Sequence, residues 1–222
     1  MNYDYPDFET YRSLYQRFYD GRSSKVLLEL AGDLTGKRVL DLCGGDGRLA
    51  LAALQLGAQE VALVERQEKM IPPEVKQNPG IKIYLGSAGR WLGEFVDKVD
   101  QKITFDCIAC QQAVNYWLNQ VFAELVAKAL TTKGSFIFNT FNQKPTVEPQ
   151  VKQYVIGDHA FVEVSWLVGD WVEHIQVRSG MKPHYTSFRW LSPEYLTQIL
   201  QPYFDVTVKT EGSTSLYRCV KK

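Results

Sequence analysis

Short apolar runs alternate with amphipathic stretches through the first two thirds of the chain. Five runs are apolar at nearly every position: RVLDL (38–42), EVALVE (60–65), IKIYLG (81–86), FDCIAC (105–110) and SFIFNT (135–140). The segments between them, 49–56, 67–77, 90–96 and 116–130, are typical of helices. Strands without polar alternation are buried on both faces, as in parallel sheets covered by helices. The order of these elements predicts a doubly wound α/β sheet.

The pattern changes between residues 151 and 190. Runs rich in Val, Trp and Phe are separated there by Gly-Asp pairs at 157–158 and 169–170, and such pairs are typical of hairpin turns. This segment predicts an inserted antiparallel meander of three or four strands. Ser192 followed by Pro193 then indicates the start of a helix. The segment 204–222 predicts two final strands around Glu211-Gly212.

Upstream of the first strand, aromatic residues at spacings of three and four indicate one face of a helix. They are Phe8, Tyr11, Tyr15 and Tyr19. A second helix is expected within SKVLLELAGDL (24–34). The aromatic face either packs on the sheet or covers a ligand beside it.

The amino-acid composition limits the classes of molecule that this protein is expected to bind. The chain has 222 residues, which suits one α/β domain with a small subdomain, and its 25 basic side chains equal its 25 acidic ones. A basic excess or stripe, the usual footprint of nucleic-acid or membrane binding, is therefore not expected. No apolar run approaches the ~20 residues of a membrane span, and the N-terminus does not resemble a secretory signal. We expect a cytoplasmic protein with no membrane or nucleic-acid partner.

Cysteine and histidine usage argues against redox and metal chemistry. The four cysteines fit a reducing compartment. Cys107 and Cys110 form a C-x-x-C pattern, but it lies inside an apolar run that predicts a strand, whereas a reactive pair opens a helix. The three histidines lack the spacing of zinc ligands, so no metal site is expected.

The stretch VLDLCGGDGRLA (39–50) carries the strongest chemical signal. Gly45-x-Gly47-x-x-Ala50 satisfies the dinucleotide pattern, and Glu65 follows Gly45 by twenty residues, so an NAD oxidoreductase is one interpretation. Asp41, however, lies four residues before Gly45. A carboxylate there would repel a pyrophosphate and attract a cofactor that carries an ammonium and a sulfonium. The acid therefore favours a cationic cofactor.

This stretch resembles the first motif of the class I S-adenosylmethionine-dependent methyltransferases, V-L-D-x-G/A-x-G-x-G. The segments VALVERQEKMI, YLGSAGRW, FDCIACQQAVNYWL and LTTKGSFIFNTFN are similar to the motifs at the second to fifth strands of that family. The resemblance extends over residues 8–222. Two positions depart from the family pattern: Cys43 replaces the first Gly or Ala of the loop, and Ser87 replaces an Asp that would bind the adenine amino group.

The resemblance implies a seven-stranded, Rossmann-like methyltransferase sheet with a terminal antiparallel hairpin and an inserted β meander. S-adenosyl-L-methionine would be the cofactor and S-adenosyl-L-homocysteine the product. Residues 1–36 would form N-terminal helices that cover the cofactor. Residues 37–145 and 191–222 would form the cofactor-binding core, and 146–190 the subdomain over the acceptor pocket.

The same resemblance assigns the cofactor site. The backbone of the glycine loop would pass beneath the methionyl part, Asp41 would compensate its ammonium, and Glu65 would accept from the ribose hydroxyls. Arg66, Met70, Ser87 and Ala88 would surround the adenine. The full expected set is Tyr15, Asp41, Cys43, Gly44, Gly45, Gly47, Glu65, Arg66, Met70, Ser87, Ala88, Cys110 and Gln111.

Methyl transfer by in-line displacement needs mainly alignment of the acceptor, and a base only where the acceptor loses a tightly held proton. The catalytic candidates are His184, His174 and Tyr116, with His159, Glu163 and Glu173 behind them in the meander. An aromatic pocket built from Trp117, Trp166, Trp171 and Tyr116 would favour a planar or cationic acceptor.

The leading hypothesis is an enzyme that methylates an O or N atom of a small molecule. The alternatives are a peptide or protein acceptor, and a subunit that binds S-adenosylmethionine without catalysis. A monomer and a homodimer are both compatible with the sequence.

Overall fold

The computed structural model describes residues 22–98, 104–156, 159–180 and 183–222, and its strands form two separate sheets. The helices are α1 (Arg22–Glu29), α2 (Arg48–Gln55), α3 (Pro73–Lys76), α4 (Ala88–Lys98), α5 (Gln120–Ala129) and α6 (Pro193–Leu200). The larger sheet contains β1 (Arg38–Leu42), β2 (Glu60–Glu65), β3 (Ile81–Leu85), β4 (Phe105–Cys110), β5 (Leu130–Phe141), β10 (Phe204–Glu211) and β11 (Thr214–Lys221). The smaller sheet contains β6 (Gln150–Ile156), β7 (His159–Val168), β8 (Trp171–Arg178) and β9 (His184–Arg189).

The seven strands of the larger sheet follow the order β10-β11-β5-β4-β1-β2-β3. The strands β1 to β5 are mutually parallel, whereas β11 is antiparallel to β5 and β10 is antiparallel to β11. The predicted fold class is confirmed, with its doubly wound sheet, terminal hairpin and inserted meander. Strand order reverses between β1 and β4, and ligands of open α/β sheets bind at the carboxyl ends of strands at such a point.

Two apolar clusters explain why the core strands show no polar alternation. One cluster joins Leu40 and Leu42 of β1 to α4, α5 and α6. The other joins Val39 of the same strand to α1 and α2. Alternate residues of one strand thus enter opposite clusters, because successive side chains point to opposite faces of a sheet.

Two predicted helices are wrong in extent. The segment 67–77 contains a 3-10 turn, Glu68–Met70, and the single-turn helix α3, because Pro72 and Pro73 interrupt the hydrogen-bonding pattern. The segment 116–130 begins with a 3-10 turn, Val114–Tyr116, and α5 starts only after Asn119. The side chain of Asn119 accepts from the backbone N–H of Phe122 at 3.1 Å and so fixes the helix start.

The four-stranded meander is antiparallel throughout, as predicted, and the Gly-Asp pair at 169–170 forms one of its turns. The pair at 157–158 lies outside the described residues, as does the predicted aromatic helix around 8–19. Cross-strand pairing places Glu163, His174, Gln176 and His184 on one face of the meander. Phe188, on that same face, packs on Tyr116 and Phe141 of the core at ring distances of 6.0 and 5.8 Å. We call this the inner face and the opposite one the outer face.

Among the residues that the structure describes, no helix has both the length and the apolar character needed to cross a membrane.

Candidate functional site

The glycine loop, residues 43–47, leaves β1 at the carboxyl end of the sheet and leads into α2. Its backbone is held by the neighbouring strand: the N–H of Gly44 donates to the carbonyl of Val64 at 3.1 Å, and the N–H of Gly45 donates to Oε2 of Glu65 at 3.0 Å. Gly47 lies directly before α2 and has a φ of +73°. This left-handed backbone conformation favours glycine. The loop is therefore fixed at the point where β1 and β2 end.

The loop lies so close to the sheet that two of its positions have no room for a side chain. A Cβ on Gly44 would lie 2.8 Å from Cγ of Leu63 and 2.9 Å from Oδ2 of Asp41. A Cβ on Gly47 would lie 2.8 Å from Cγ1 of Val75. Only glycine therefore fits at these two positions without a shift of the loop or of its neighbours.

Asp41 is buried beneath this loop, with 1% of its surface exposed. Its Oδ2 accepts from the backbone N–H of Ala50, in the first turn of α2, at 3.1 Å. Burial raises the pKa of Asp41 to about 8, and the negative charges of Asp46 and Glu65 add to the shift. The group therefore keeps its proton near neutral pH until a positive charge comes close to it.

Glu65 closes the site on the β2 side. Its Oε2 accepts from Gly45, and its Oε1 accepts from the backbone N–H of Gln67 at 2.9 Å. Both oxygens are thus held in fixed positions, each with a further lone pair for another donor. Asp46, in the glycine loop, is already paired with the guanidinium of Arg48, whose Nε lies 2.9 Å from Oδ1.

Cys43 adopts a φ of +60°, which is uncommon for a residue with a side chain. Its thiol is hydrogen-bonded to that of Cys110 at the end of β4, and this bond together with burial raises the pKa of Cys43. Cys107 and Cys110 enter the two apolar clusters on opposite faces of the sheet. The C-x-x-C pattern is therefore part of a strand, as predicted, and its two thiols point apart.

The remaining predicted cofactor residues lie around this edge of the sheet. Ser87 is exposed, and Ala88 is the buried first residue of α4, directly after β3. The N–H of Gly86 donates to the carbonyl of Glu65 at 2.9 Å and ties this turn to β2. Arg66 is exposed and Met70 is buried, while Oε1 of Gln111 accepts from Ser24 of α1 at 2.7 Å. Tyr15 lies outside the described residues.

The inner face of the meander carries a polar network. Oε1 of Glu163 accepts from the hydroxyl of Tyr154 at 2.6 Å and from Nε2 of Gln176 at 2.7 Å. Gln176 is 3% exposed, and its Oε1 is buried without a hydrogen-bond partner among the described residues. Sequence reasoning did not identify Tyr154 or Gln176. Both residues could have been found from the sequence, because each is a polar residue at an alternate position of a strand that otherwise carries apolar residues.

His174 and His184 lie next to this network. In the register, His174 faces Thr186 and His184 faces Gln176, so the two histidines are diagonal neighbours about 7–8 Å apart. Burial lowers the pKa of His174, although the charge of Glu163 opposes the shift. Burial also lowers the pKa of His184, and His174 lowers it further. Both imidazoles are therefore neutral at pH 7 and able to accept a proton.

The other candidate residues of the predicted pocket do not all share the inner face. Tyr116 lies on the core side near Phe188, and Phe188 is four residues, or about 13 Å along the strand, from His184. The structure therefore does not bring Tyr116 into contact with that histidine. Glu173 lies on the outer face, as do Trp166 and Trp171, because each is one residue away from an inner-face position. The side chain of His159 is not described.

Comparison with protein-family models and with curated proteins found no match. Solved structures do match over nearly the whole chain. An S-adenosylmethionine-dependent methyltransferase from Clostridium acetobutylicum superposes with a TM-score of 0.69 at 16% identity, covering 96% of this chain and 98% of that one. An amino pentose methyltransferase from Micromonospora echinaspora, solved with S-adenosylmethionine, gives 0.68 at 13% identity, covering 94% and 97%. A sugar N-methyltransferase from Streptoalloteichus gives 0.65 at 13% identity, covering 94% and 92%. The fold is that of the S-adenosylmethionine-dependent methyltransferases.

In this methyltransferase fold, one buried amide joins the core to the meander. Nδ2 of Asn115 donates to the carbonyl of Arg189 at 2.8 Å, and its Oδ1 accepts from the hydroxyl of Thr140 at 2.8 Å. Beside it, Oδ1 of Asn139 accepts from the backbone N–H of Gln112, whose φ is +55°. Sequence reasoning missed these residues, although Asn139 and Thr140 are polar positions at the end of an apolar strand.

Within the ranges given above, no group of three or more His, Cys, Asp and Glu side chains in this methyltransferase fold is placed to hold a metal ion.

Proposed function

We propose that this protein transfers the methyl group of S-adenosylmethionine to an N or O atom of a small polar acceptor. The observation that carries the proposal is the glycine loop at the carboxyl ends of β1 and β2, with an acidic side chain on each side of it, of which Asp41 ionises when a positive charge comes close. Asp41 lies beneath the loop and Glu65 beside it. Arg48, the cation in the following helix, is already paired with Asp46. These surroundings favour a positively charged cofactor over a pyrophosphate.

The residues present fit that cofactor. Glu65 ends β2 with both oxygens fixed, as an acceptor for two ribose hydroxyls must be. Ser87 and Ala88, which follow the adjacent strand, would contact the adenine, and the loop over 43–47 would contact the methionyl part. Asp41 compensates the ammonium by giving up its proton, since a nearby positive charge lowers the pKa of a carboxyl group.

The inner face of the meander supports a polar acceptor. The unpaired Oε1 of Gln176 offers an acceptor for a hydroxyl or amine hydrogen, and the carboxylate of Glu163 offers a negative charge for an amine. Two of the matching structures are named as amino pentose and sugar N-methyltransferases. An amino sugar combines hydroxyl donors with an amine, so it is the acceptor class that we propose to test first.

When bound, the cofactor supplies a methyl group on a sulfonium, an electrophile that needs no further activation. The chain's contribution is to align the acceptor atom with that methyl group and to exclude water. Glu65 and the loop over 43–47 would hold the cofactor, which would supply its methyl group to the lone pair of the acceptor and leave as S-adenosylhomocysteine. The acceptor's proton passes to His184 or His174, which burial keeps neutral at pH 7.

Calorimetry with S-adenosylhomocysteine tests the cofactor assignment. We expect micromolar affinity for it and no heat with NADH. The reverse result would assign the loop to a dinucleotide. Methyl transfer from labelled S-adenosylmethionine to amino sugars, neutral sugars and peptides then tests the acceptor. Equimolar binding without transfer to any of them would indicate a non-catalytic binding subunit.

A further inference from the structure

The side chain of Gln111 is held by a buried hydroxyl from a different part of the chain. Oγ of Ser24, on α1, donates to Oε1 of Gln111 at 2.7 Å. Ser24 is 0% exposed, and its helix packs in an apolar cluster through Leu27 and Leu28. A hydroxyl in such surroundings is unfavourable unless it is hydrogen-bonded. Gln111 therefore satisfies Ser24, and Ser24 in turn fixes the orientation of the amide.

The backbone of Gln111 is fixed as well. Gln111 follows Cys110, the last residue of β4. The next residue, Gln112, has a φ of +55° and donates its N–H to Oδ1 of Asn139 at 2.8 Å. The chain therefore turns immediately after Gln111, and the turn is tied to β5. A side chain whose backbone and amide oxygen are both held has little conformational freedom left to lose when a ligand binds.

Gln111 lies beside the first residue of the glycine loop. In the parallel register of β1 and β4, Asp41 faces Ala109. Two residues further along both chains, Cys43 and Gln111 reach the same level, and neighbouring strands lie about 4.8 Å apart. The hydrogen bond between the thiols of Cys43 and Cys110 joins the two chains at this point. Under the proposed function, the methionyl part of the cofactor lies here.

The orientation of the amide decides which group of the cofactor it can bind. Because Oε1 accepts from Ser24, the two N–H donors of the amide are on the other side, at Nε2. The methionyl part ends in an ammonium, which donates, and a carboxylate, which only accepts. Asp41 is the group proposed for the ammonium. The N–H donors of Gln111 are complementary to the carboxylate.

We propose that Nε2 of Gln111 donates to the carboxylate of the cofactor's methionyl part, and that Ser24 is the positioning residue that turns the amide so that it donates. The inference rests on the proposed function, because it requires S-adenosylmethionine at this site. Without the hydroxyl of Ser24, the amide would be able to rotate and present Oε1, which repels a carboxylate. The buried serine thus selects one of two amide orientations that have nearly the same shape.

Calorimetry with two ligands tests the inference. One is S-adenosylhomocysteine, and the other is its decarboxylated analogue, which keeps the amine and lacks only the carboxylate. Gln111→Ala should weaken binding of S-adenosylhomocysteine by about tenfold or more, because it removes a hydrogen bond to a charged group, and should change the affinity for the analogue by less than about twofold. Ser24→Ala should weaken binding of S-adenosylhomocysteine by about 3- to 10-fold, again without changing the affinity for the analogue.

Two further variants separate positioning from a general loss of structure. Ser24→Ala added to Gln111→Ala should cause no additional loss of affinity, because Ser24 acts only through that amide. Ser135→Ala is the matched control, since it also removes a buried hydroxyl, 5% exposed. Ser135 lies opposite Cys107, about 10 Å along the strand from the end of β4. This control should change the affinity for neither ligand.

Gln111→Glu covers the case in which Ser24→Ala fails to fold. Gln111 is half-buried, and the new side chain has nearly the same shape and can still accept from Ser24. Its charge should weaken binding of S-adenosylhomocysteine more than Gln111→Ala does, whereas the analogue, which is only cationic, should bind at least as tightly as before.

Equal losses for both ligands in Gln111→Ala or Ser24→Ala would overturn the inference, as would an unchanged affinity for S-adenosylhomocysteine in Gln111→Glu. In each of these cases the unaltered protein still binds S-adenosylhomocysteine, so the proposed function stands. An unaltered protein that does not bind S-adenosylhomocysteine would overturn the proposed function itself, and the inference with it.

Discussion

The two sheets of this protein differ in how their faces are covered. The seven-stranded sheet is covered on both faces, and its side chains enter two apolar clusters. The inner face of the four-stranded meander carries a polar network and an apolar cluster that includes Leu167, Val172 and Phe188, whereas several apolar side chains of its outer face are exposed. A sheet buried on both sides can hold a loop rigidly at its edge, whereas a one-sided sheet can present side chains to a second ligand. Under the proposed function, the first sheet would hold the cofactor and the second would present side chains to the acceptor.

This division makes the two sites separable by mutation. Changes in the glycine loop should alter cofactor affinity and stability, whereas changes on the inner face should alter turnover. A variant that moves both quantities together would show that the two sheets act as one site.

The largest effect is expected on the inner face. His184→Ala and His174→Ala should each be tested for kcat and for affinity towards S-adenosylhomocysteine. Loss of the general base should lower kcat by about 10²–10⁴-fold with little change in affinity. In the unaltered protein kcat should rise with pH through a value below 6.5 and then level off, because burial lowers the pKa of both groups.

Glu173→Gln is the control for the histidine variants, because it lies on β8 beside His174 but on the outer face. Its kcat should stay near that of the unaltered protein. Equal activity of a histidine variant would reduce that residue to a structural role.

The next largest effect is expected in the glycine loop. Gly44→Ala introduces a Cβ within 2.9 Å of Leu63 and Asp41, and relieving that contact should cost about 1–3 kcal/mol of stability. Affinity for S-adenosylhomocysteine should fall with it, because the loop must shift. Thermal unfolding and calorimetry measure both quantities. Gly86→Ala, where nothing lies within 4 Å of the new Cβ, should change neither.

Glu65→Ala should weaken cofactor binding by tenfold or more, since a hydrogen bond to a charged acceptor contributes about 1.5–3 kcal/mol. The variant also removes the acceptor for the N–H groups of Gly45 and Gln67. Glu68→Ala, whose carboxylate makes an exposed ion pair with Lys76 at 3.1 Å, is the neighbouring control. Unchanged affinity in Glu65→Ala would place the ribose elsewhere.

A further effect concerns pH. The folded pKa of Asp41, about 8, lies above its ordinary value of 3.8. The stability that this group contributes is therefore fully present below pH 4 and is lost as the pH rises towards 8. A cationic cofactor favours the ionised form, so affinity for S-adenosylmethionine should rise with pH up to about 8, by at most ~10-fold per pH unit.

Asp41→Asn should remove both pH dependences, because its side chain does not titrate. Calorimetry and thermal unfolding of the two proteins from pH 6 to 9 provide the comparison. An affinity that rises with pH as steeply in the variant would assign the dependence to another group.

Sequence reasoning predicted the core sheet well because burial on both faces leaves a strong local signal. Apolar runs marked β1 to β4 almost to the residue. The glycine loop was recognisable because its spacing lies within a few residues. The prediction of one helix over 67–77 was wrong because Pro72 and Pro73 interrupt the helix that the apolar periodicity indicates.

The inner face was predicted less completely because it depends on register. Tyr154, Glu163 and Gln176 come from three strands, and only the pairing of those strands brings them together. A shift by one residue exchanges the faces of a strand. This is why Glu173 and Trp171 were expected in the pocket and are found on the outside. The thiol contact between Cys43 and Cys110 likewise needed the order of β1 and β4.

Asn115 connects the meander to the core sheet by hydrogen bonds. Its two hydrogen bonds, to Arg189 of β9 and Thr140 of β5, attach the meander to the sheet through the segment that follows β4. If the meander moved away from the sheet, the hydrogen bonds of Asn115 would break or the segment after β4 would move with the meander. If the acceptor binds beneath the meander, as the proposed function requires, its entry would also displace the chain just after Cys110.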